Sequence, residues 1–403
     1  MILPVRLGRM GYQCLEDFVV NIKRRKKTDE NLISKSQLEE RLRLSMEWLK
    51  LTHKVTGFNG SSQGFSYLFG WRDAFPETTG YVAKTFIEYA NFSSEEFYLK
   101  EGLQMLDYLC EIQRDDGGII QGLVNRSEMG VSIIFNAGMA MSGWLKGYEV
   151  TKDDKYLDAL HKAGEFLVRI RSDQKLWLKH SYQNILHTYH ARVAWFLLGL
   201  SLITDKVEYK ETAIDIYEWV LAQQMDNGYF KNCIFRLDRP TYNTHGFAYT
   251  VRGLLEGFLI LNDERYLEAA KKTSYILLKK FEANNSLPTL FNENWEPECR
   301  SECLTGIAQL SIIWFKLYLI TKDDRFLNGG IKGTDLLCTL QNTKSKFKEI
   351  RGAIKGSHPI YGRYAPLQYP NWATKFFADA LMHRIRITNS SNGEPGEMKR
   401  VFV

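Results

Sequence analysis

The chain has 403 residues, of which 44% are hydrophobic and 13% aromatic, with 21 Tyr and 9 Trp; this is ample for a large core and more amphipathic rings than packing needs, as in sugar-binding clefts. Its 53 basic and 47 acidic residues leave a net charge of +6, too mild and too dispersed for a nucleic-acid interface but favourable to an anionic partner. There is no phosphate-binding loop, dinucleotide fingerprint or Gly-x-Ser-x-Gly elbow, and the six cysteines (14, 110, 233, 299, 303, 338) are scattered in the manner of reduced thiols.

In chain order, residues 1–33 read as an N-terminal arm. It carries the densest basic run, Lys23, Arg24, Arg25, Lys26 and Lys27; a solvated tail is the plain expectation, and contact with an acidic partner or membrane surface the alternative. The first residues lack a cleavable apolar core, and no uninterrupted apolar run approaches the roughly 18 residues of a membrane span. A cytoplasmic location is therefore expected.

From residue 34 a repeat emerges. The stretches 91–106, 151–167, 204–220, 262–278 and 321–337 each open on an acidic or Ser/Thr cluster, continue with an aromatic residue and then take a helical period. The aromatic anchors Tyr98, Tyr156, Tyr209, Tyr266 and Phe326 are spaced 58, 53, 57 and 60 residues apart, a structural period. A sixth copy, with a less clear cap, starts at Ser34. Between the copies lie more apolar helices opening near Glu77, Ser132, His187, His245, Glu302 and Asn371. Charged helices alternating with apolar ones predict an inner ring wrapped by an outer ring. The turns at 113–119, 169–177 and 223–230 predict short strands or hairpins. The connector 351–370, rich in Gly, Pro and Tyr, predicts a fixed lid or rim loop, and 391–403 a flexible tail.

Twelve helices in six hairpins with Asp-Gly-Gly turns resemble the (α/α)6 toroid of the six-hairpin glycosidase superfamily, which includes polysaccharide lyases and uronyl epimerases. The resemblance spans residues 34–390 as one domain. The strings AFPETTGY (74–81), THGFAYTVRGLLEG (244–257) and GAIKGS to YPNWATKFFADAL are also similar to uncharacterised proteins of surface-polysaccharide gene clusters, and YNTHGFAYTVRGLLEG is similar to a segment of the glucuronyl 5-epimerase toroid. The resemblance implies an all-α toroid with a lumen at the openings of the inner helices.

Polar residues recur at those openings. His245, Tyr249, Arg252 and Glu256 fall at i, i+4, i+7 and i+11, within about 60° of one another on a helix, and Glu77, Tyr81, Lys84 and Glu88 repeat the spacing. Asn136, Glu302, Gln309, Asn371, Trp372 and Lys375 add polar or aromatic groups at the other openings. Buried polar groups without partners are costly, so the recurrence predicts a hydrated ligand cavity.

Three functions compete. A glycoside hydrolase needs a proton-donating carboxyl and a second carboxylate roughly 5 to 9.5 Å away; Glu77 is the candidate acid, with Asp73, Asp116, Asp226 and Glu302 as partners, although Asp116 and Asp226 also read as turn formers. A lyase or epimerase acting on a uronic acid needs a cation or amide to neutralise the sugar carboxylate, plus a base and an acid. For that chemistry the candidate catalytic residues are His245, Tyr249, His187 and Glu77. The candidate substrate-binding residues are Arg252, Tyr242, Asn243, His190, Tyr81, Asn136, Glu302, Lys355, Tyr361, Arg363, Asn371, Trp372 and Lys375. The supply of His and Tyr places this reading first, with an acidic oligo- or polysaccharide as partner. A non-catalytic glycan-binding role in polysaccharide assembly is third. Cys299 and Cys303 with His245 lack a clear further zinc ligand, so neither metal nor cofactor is expected.

Overall fold

The computed structural model describes residues 3–26, 33–124, 130–235 and 242–389. Within them the helices are α1 (Leu3–Lys26), α2 (Lys35–Lys54), α3 (Pro76–Ser93), α4 (Glu96–Glu111), α5 (Ile134–Thr151), α6 (Asp154–Arg169), α7 (Ala191–Ser201), α8 (Val207–Ala222), α9 (Thr244–Leu261), α10 (Glu264–Asn284), α11 (Leu304–Thr321), α12 (Asp324–Leu340) and α13 (Asn371–Asn389). The inner helices α3, α5, α7, α9, α11 and α13 each touch the next, and α13 returns to α3, so the ring is closed. Each inner helix is backed by an outer one. The sixth pair joins α2 to α13, the two ends of the repeat region. This is an (α/α)6 toroid.

The local causes are regular. The inner helices α5, α9 and α11 end on a left-handed residue, Lys152, Asn262 and Lys322, and the next residue, Asp153, Asp263 or Asp323, caps the following outer helix. A left-handed terminus followed by an acidic cap reverses the chain within a few residues. The periodic aromatic anchors are all buried. Four of them also reach the preceding outer helix through the hydroxyl: Tyr98 to Glu47 (3.4 Å), Tyr156 to Asp107 (2.7 Å), Tyr209 to His161 (3.2 Å) and Tyr266 to Glu218 (3.1 Å). Phe326 has no hydroxyl, and Arg325 reaches Tyr275 there instead.

Inner helices approach backbone to backbone. A Cβ on Gly80 would lie 2.3 Å from the Met139 carbonyl oxygen, and one on Gly253 would lie 2.4 Å from the Ala191 carbonyl carbon; only glycine permits these crossings. The most apolar inner helix, α11, is long and apolar enough to cross a membrane, but 78% of it is buried inside the ring.

The connectors differ from the expected local hairpins. The strands are β1 (Gly64–Ser66), β2 (Gly70–Trp71), β3 (Tyr242–Asn243), β4 (Leu290–Phe291), β5 (Glu302–Cys303), β6 (Ser357–His358) and β7 (Gln368–Pro370). Only β1 and β2 form a hairpin; β1 also pairs with β7, β3 with β4, and β5 with β6. Of the three predicted turns, 223–230 closes with the single bridge Gln224 to Phe230, and Ile120 after the first bridges Ser132. Connectors converging at one end of the ring offer short extended pieces, whose backbone groups pair with the neighbouring repeat.

The connector 351–370 is the rim piece expected, with residues 352–358 buried. It is held by α1. Asp17 Oδ2 accepts from the Ile360 amide (2.7 Å) and pairs with Lys355, His358 Nε2 meets Asn21 (2.8 Å), and the Tyr369 hydroxyl donates to Gln13 (2.7 Å). The side chains of Lys23, Arg24, Arg25 and Lys26, all of Lys27 and the tail 391–403 lie outside the described residues.

Candidate active site

Pro76 opens α3 and places Glu77 in its first turn. Among the described residues the Glu77 carboxyl has no cation beside it; burial pushes its pKa from 4.5 up to about 7. Four tyrosines from four elements feel its charge: Tyr81 one turn further along α3, Tyr249 on α9, Tyr189 in the 3-10 turn preceding α7, and Tyr364 on the rim connector. Burial raises the pKa of every one of these phenols. The Tyr364 hydroxyl accepts from Trp372 Nε1 (2.9 Å). The Tyr81 hydroxyl is fully buried with no well-aligned partner among the described residues, and its nearest hydrogen-bonding neighbour is the Tyr249 hydroxyl. Phe135 and Phe376 wall this cluster, with ring centroids 5.2 Å from Tyr249 and 5.6 Å from Tyr81 respectively.

His245 stands beside it, 4.2 Å from the Tyr249 ring and 5.1 Å from Tyr364. Gln309 donates to its Nδ1, which leaves the proton of the neutral ring on Nε2. Burial, reinforced by Arg192, lowers its pKa to about 3. His245 is therefore a fixed neutral donor at physiological pH.

Below this layer the polar stripes continue as ion pairs. Arg252 binds Glu256 (2.5 Å), which Lys316 also reaches; Lys84 faces Glu88 (3.7 Å) and Lys375 binds Asp379 (2.6 Å). Burial depresses Lys375 to about 8 and Lys316 to about 7. The exception is Arg192, 96% buried. Its only hydrogen bond among the described residues is to the Met139 sulfur (3.4 Å), and its guanidinium lies over Tyr249, Phe376, Trp195 and Phe196 at 5.0 to 5.6 Å. It lines a cavity of about 40 Å³ with Lys84, Arg252 and Lys375 and with the carboxylates Glu88 and Asp379, room for a few water molecules. Asp379 acts on Arg192 through its charge but is bound to Lys375, so the guanidinium has no ion-pair partner of its own among the described residues.

Of the residues expected at the site, His245, Tyr249, Glu77, Tyr81 and Trp372 come together, with Lys375 just beneath. Several others are committed elsewhere. Both ring nitrogens of His187 meet backbone carbonyls, Ile234 (2.8 Å) and Tyr182 (2.9 Å). His190 packs edge-on to Trp177, and burial lowers its pKa well below the ordinary value. Asn243 caps α9 through the Gly246 amide, and Asn136 holds the Ile120 carbonyl. Asn371 donates to Ser61, Ser62 and Thr78. Arg252 is neutralised by Glu256, and Lys355 by Asp17 of α1, away from the lumen. Glu302 sits in β5 opposite His358. Tyr361 and Arg363 are exposed on the rim. The Tyr242 side chain lies outside the described residues.

None of the proposed second carboxylates acts on Glu77. Asp116 accepts from the Gly118 amide and the Ser132 hydroxyl within its turn, and Asp226 is exposed. Cys303 caps α11 through the Gly306 amide, and Cys299 contacts Ser301.

Sequence inspection missed Arg192. It lies in the first turn of α7, just after the 3-10 turn Thr188–His190, and it is not one helical period from His187 or His190. The available signal was a guanidinium immediately before the apolar run VAWFLLGL, residues 193–200.

No known sequence family matches the chain, and no curated protein matches it. By structure it is similar to an unsaturated glucuronyl hydrolase from Streptococcus agalactiae (TM-score 0.69, 11% identity, covering 88% of this chain and 93% of that one). It is also similar to an unsaturated glucuronyl hydrolase specific for heparin (0.68, 12%, 88% and 99%). A third, from Bacillus sp. GL1, is responsible for glycosaminoglycan degradation (0.66, 15%, 85% and 96%). The chain thus shares the (α/α)6 toroid fold of these structures.

Proposed function

We propose that the protein is an acid–base enzyme acting on a uronic acid unit of a glycan, as a lyase or epimerase. One observation carries the reading. A single carboxyl with its pKa near neutrality is ringed by four phenols, one of which, Tyr249, lies under a buried guanidinium that makes no ion pair of its own among the described residues. Arg192 would neutralise the sugar carboxylate, which otherwise resists loss of the adjacent proton. Glu77 would exchange a proton with the carbon α to the carboxylate, since at neutral pH it is present in both protonation states. Tyr81 or Tyr249 would serve the opposite face or the leaving oxygen, and His245 Nε2 would hold a hydroxyl. The deep cavity, at about 40 Å³, is too small for a sugar ring, which therefore belongs in the tyrosine layer.

A second reading is hydrolysis of an unsaturated uronate, supported by the substrates named for the structural neighbours. A paired-carboxylate glycosidase is poorly matched by an isolated Glu77. An enol ether, by contrast, is opened by protonation on carbon followed by water, for which one carboxyl suffices.

One assay separates these outcomes. Uronate oligosaccharides and unsaturated uronyl disaccharides are incubated with the protein in deuterated buffer and followed by ultraviolet absorbance and mass spectrometry. A lyase raises the absorbance, an unsaturated-uronate hydrolase lowers it, and an epimerase adds deuterium without cleavage. Binding with none of these changes would make the protein a glycan-binding module.

A further inference from the structure

Helix α1 is mounted inside out. An amphipathic helix on a protein surface normally turns its apolar side inward. Here the inward side carries Gln13 and Asp17, 5% and 1% exposed. The outward side carries Leu7, Tyr12, Leu15, Phe18, Val19 and Ile22, with Phe18 63% and Leu15 59% exposed. The inward side is satisfied by the Asp17 and Gln13 bonds to the rim connector, so the orientation follows from buried polar pairing. The outward side has no partner among the described residues. The tip of the β1–β2 hairpin abuts α1, since Gly70 lies against Arg6, and it exposes Phe69 and Leu68 beside it.

We propose that this face docks on an anionic membrane surface. The helix backbone runs to Lys26, and the sequence of its end is Lys23, Arg24, Arg25, Lys26, followed by Lys27. An apolar helix face joined to a basic cluster matches a bilayer whose headgroups are negative and whose interior is apolar. A second α1 is a poorer match. Its only acids are Glu16 and the buried, engaged Asp17, so helix-to-helix pairing would leave two basic runs without counter-charge. Because α1 is bolted to the 351–370 connector, docking would bring the mouth of the toroid to the lipid surface.

The test is flotation of the full-length protein with vesicles of phosphatidylcholine alone or of an equimolar phosphatidylcholine and phosphatidylglycerol mixture, with size exclusion in parallel. The wild type should float with the anionic vesicles, stay behind with the zwitterionic ones and be released by raised salt. L15D/F18D, at exposed positions away from the active site, should reduce the bound fraction about tenfold, and K23Q/R24Q/R25Q/K26Q/K27Q should do the same, each with an unchanged circular dichroism melt. Failure of the wild type to float with anionic vesicles, or undiminished flotation of either variant, would overturn the proposal. So would a dimer that L15D/F18D splits without any vesicle binding, which would assign the face to a second copy.

Discussion

Glu77 combines a cost with a use. Its carboxyl ordinarily ionises near 4.5 and is held here at about 7. The folded state therefore binds that proton more tightly than the unfolded state does. Stability falls as pH rises from 4.5 to 7, and the full penalty is present above that range. Replacing Glu77 with Gln should raise stability by about 2 kcal/mol near pH 8 and leave it unchanged near pH 4, as read by urea unfolding at both pH values. The same variant should lose about 10²- to 10⁴-fold in turnover, along with the inflection near neutral pH in the rate profile. A Gln variant that keeps that inflection would move the proton transfer to another group. Arg192→Met should weaken uronate binding tenfold or more, at about 1.4 kcal/mol per decade, without affecting neutral sugars. Because it removes an unpaired buried charge, it should leave the melting temperature equal or higher. Titration calorimetry with a uronate and its neutral counterpart checks both sides.

At the scale of elements, α1 and the rim connector act as one part. Asp17 faces Lys355, His358 and the Ile360 amide at once, and against the cost of burial the hydrogen bond with His358 and then the charge of Lys355 lower the Asp17 pKa to about 2. Asp17→Ala would leave a buried ammonium without a counter-ion and should cost about 3–5 kcal/mol. Activity should also drop, because the same connector delivers Tyr364 to the site. A loss below about 1 kcal/mol in thermal unfolding would mean that the clamp does not carry the rim. The stripes on α3 and α9 were readable as single periodic faces, yet each is two layers. Glu77, Tyr81, His245 and Tyr249 form the mouth layer, whereas Lys84 with Glu88 and Arg252 with Glu256 are ion pairs beneath it. A polar stripe looks the same in sequence whether its members meet a ligand or each other. Only the neighbours, Lys316 beside Glu256 and, among the described residues, phenols but no cation beside Glu77, separate the two cases.

For the whole molecule, closure of the ring sets the geometry. Helix α2 backs α13, so the last inner helix is completed by the first outer one, and strands from different connectors stitch the mouth. The sequence by itself determined the twelve-helix repeat. Its buried anchors Tyr98, Tyr156, Tyr209, Tyr266 and Phe326, its caps Asp153 and Asp323 and its apolar inner segments are local signals tied to helical geometry and burial. It also marked half of the site, because His245, Tyr249, Glu77 and Tyr81 sit at a spacing any helix would bring to one face. Tertiary structure alone decided which polar groups were already spent. His187, Asn136, Asn371 and Lys355 are held by carbonyls, hydroxyls or a carboxylate from other segments, whereas Arg192 and Glu77 form no ion pair among the described residues. The physical reason is that the chemistry of a buried polar group depends on the partners packed around it, and in a closed ring those partners come from other repeats.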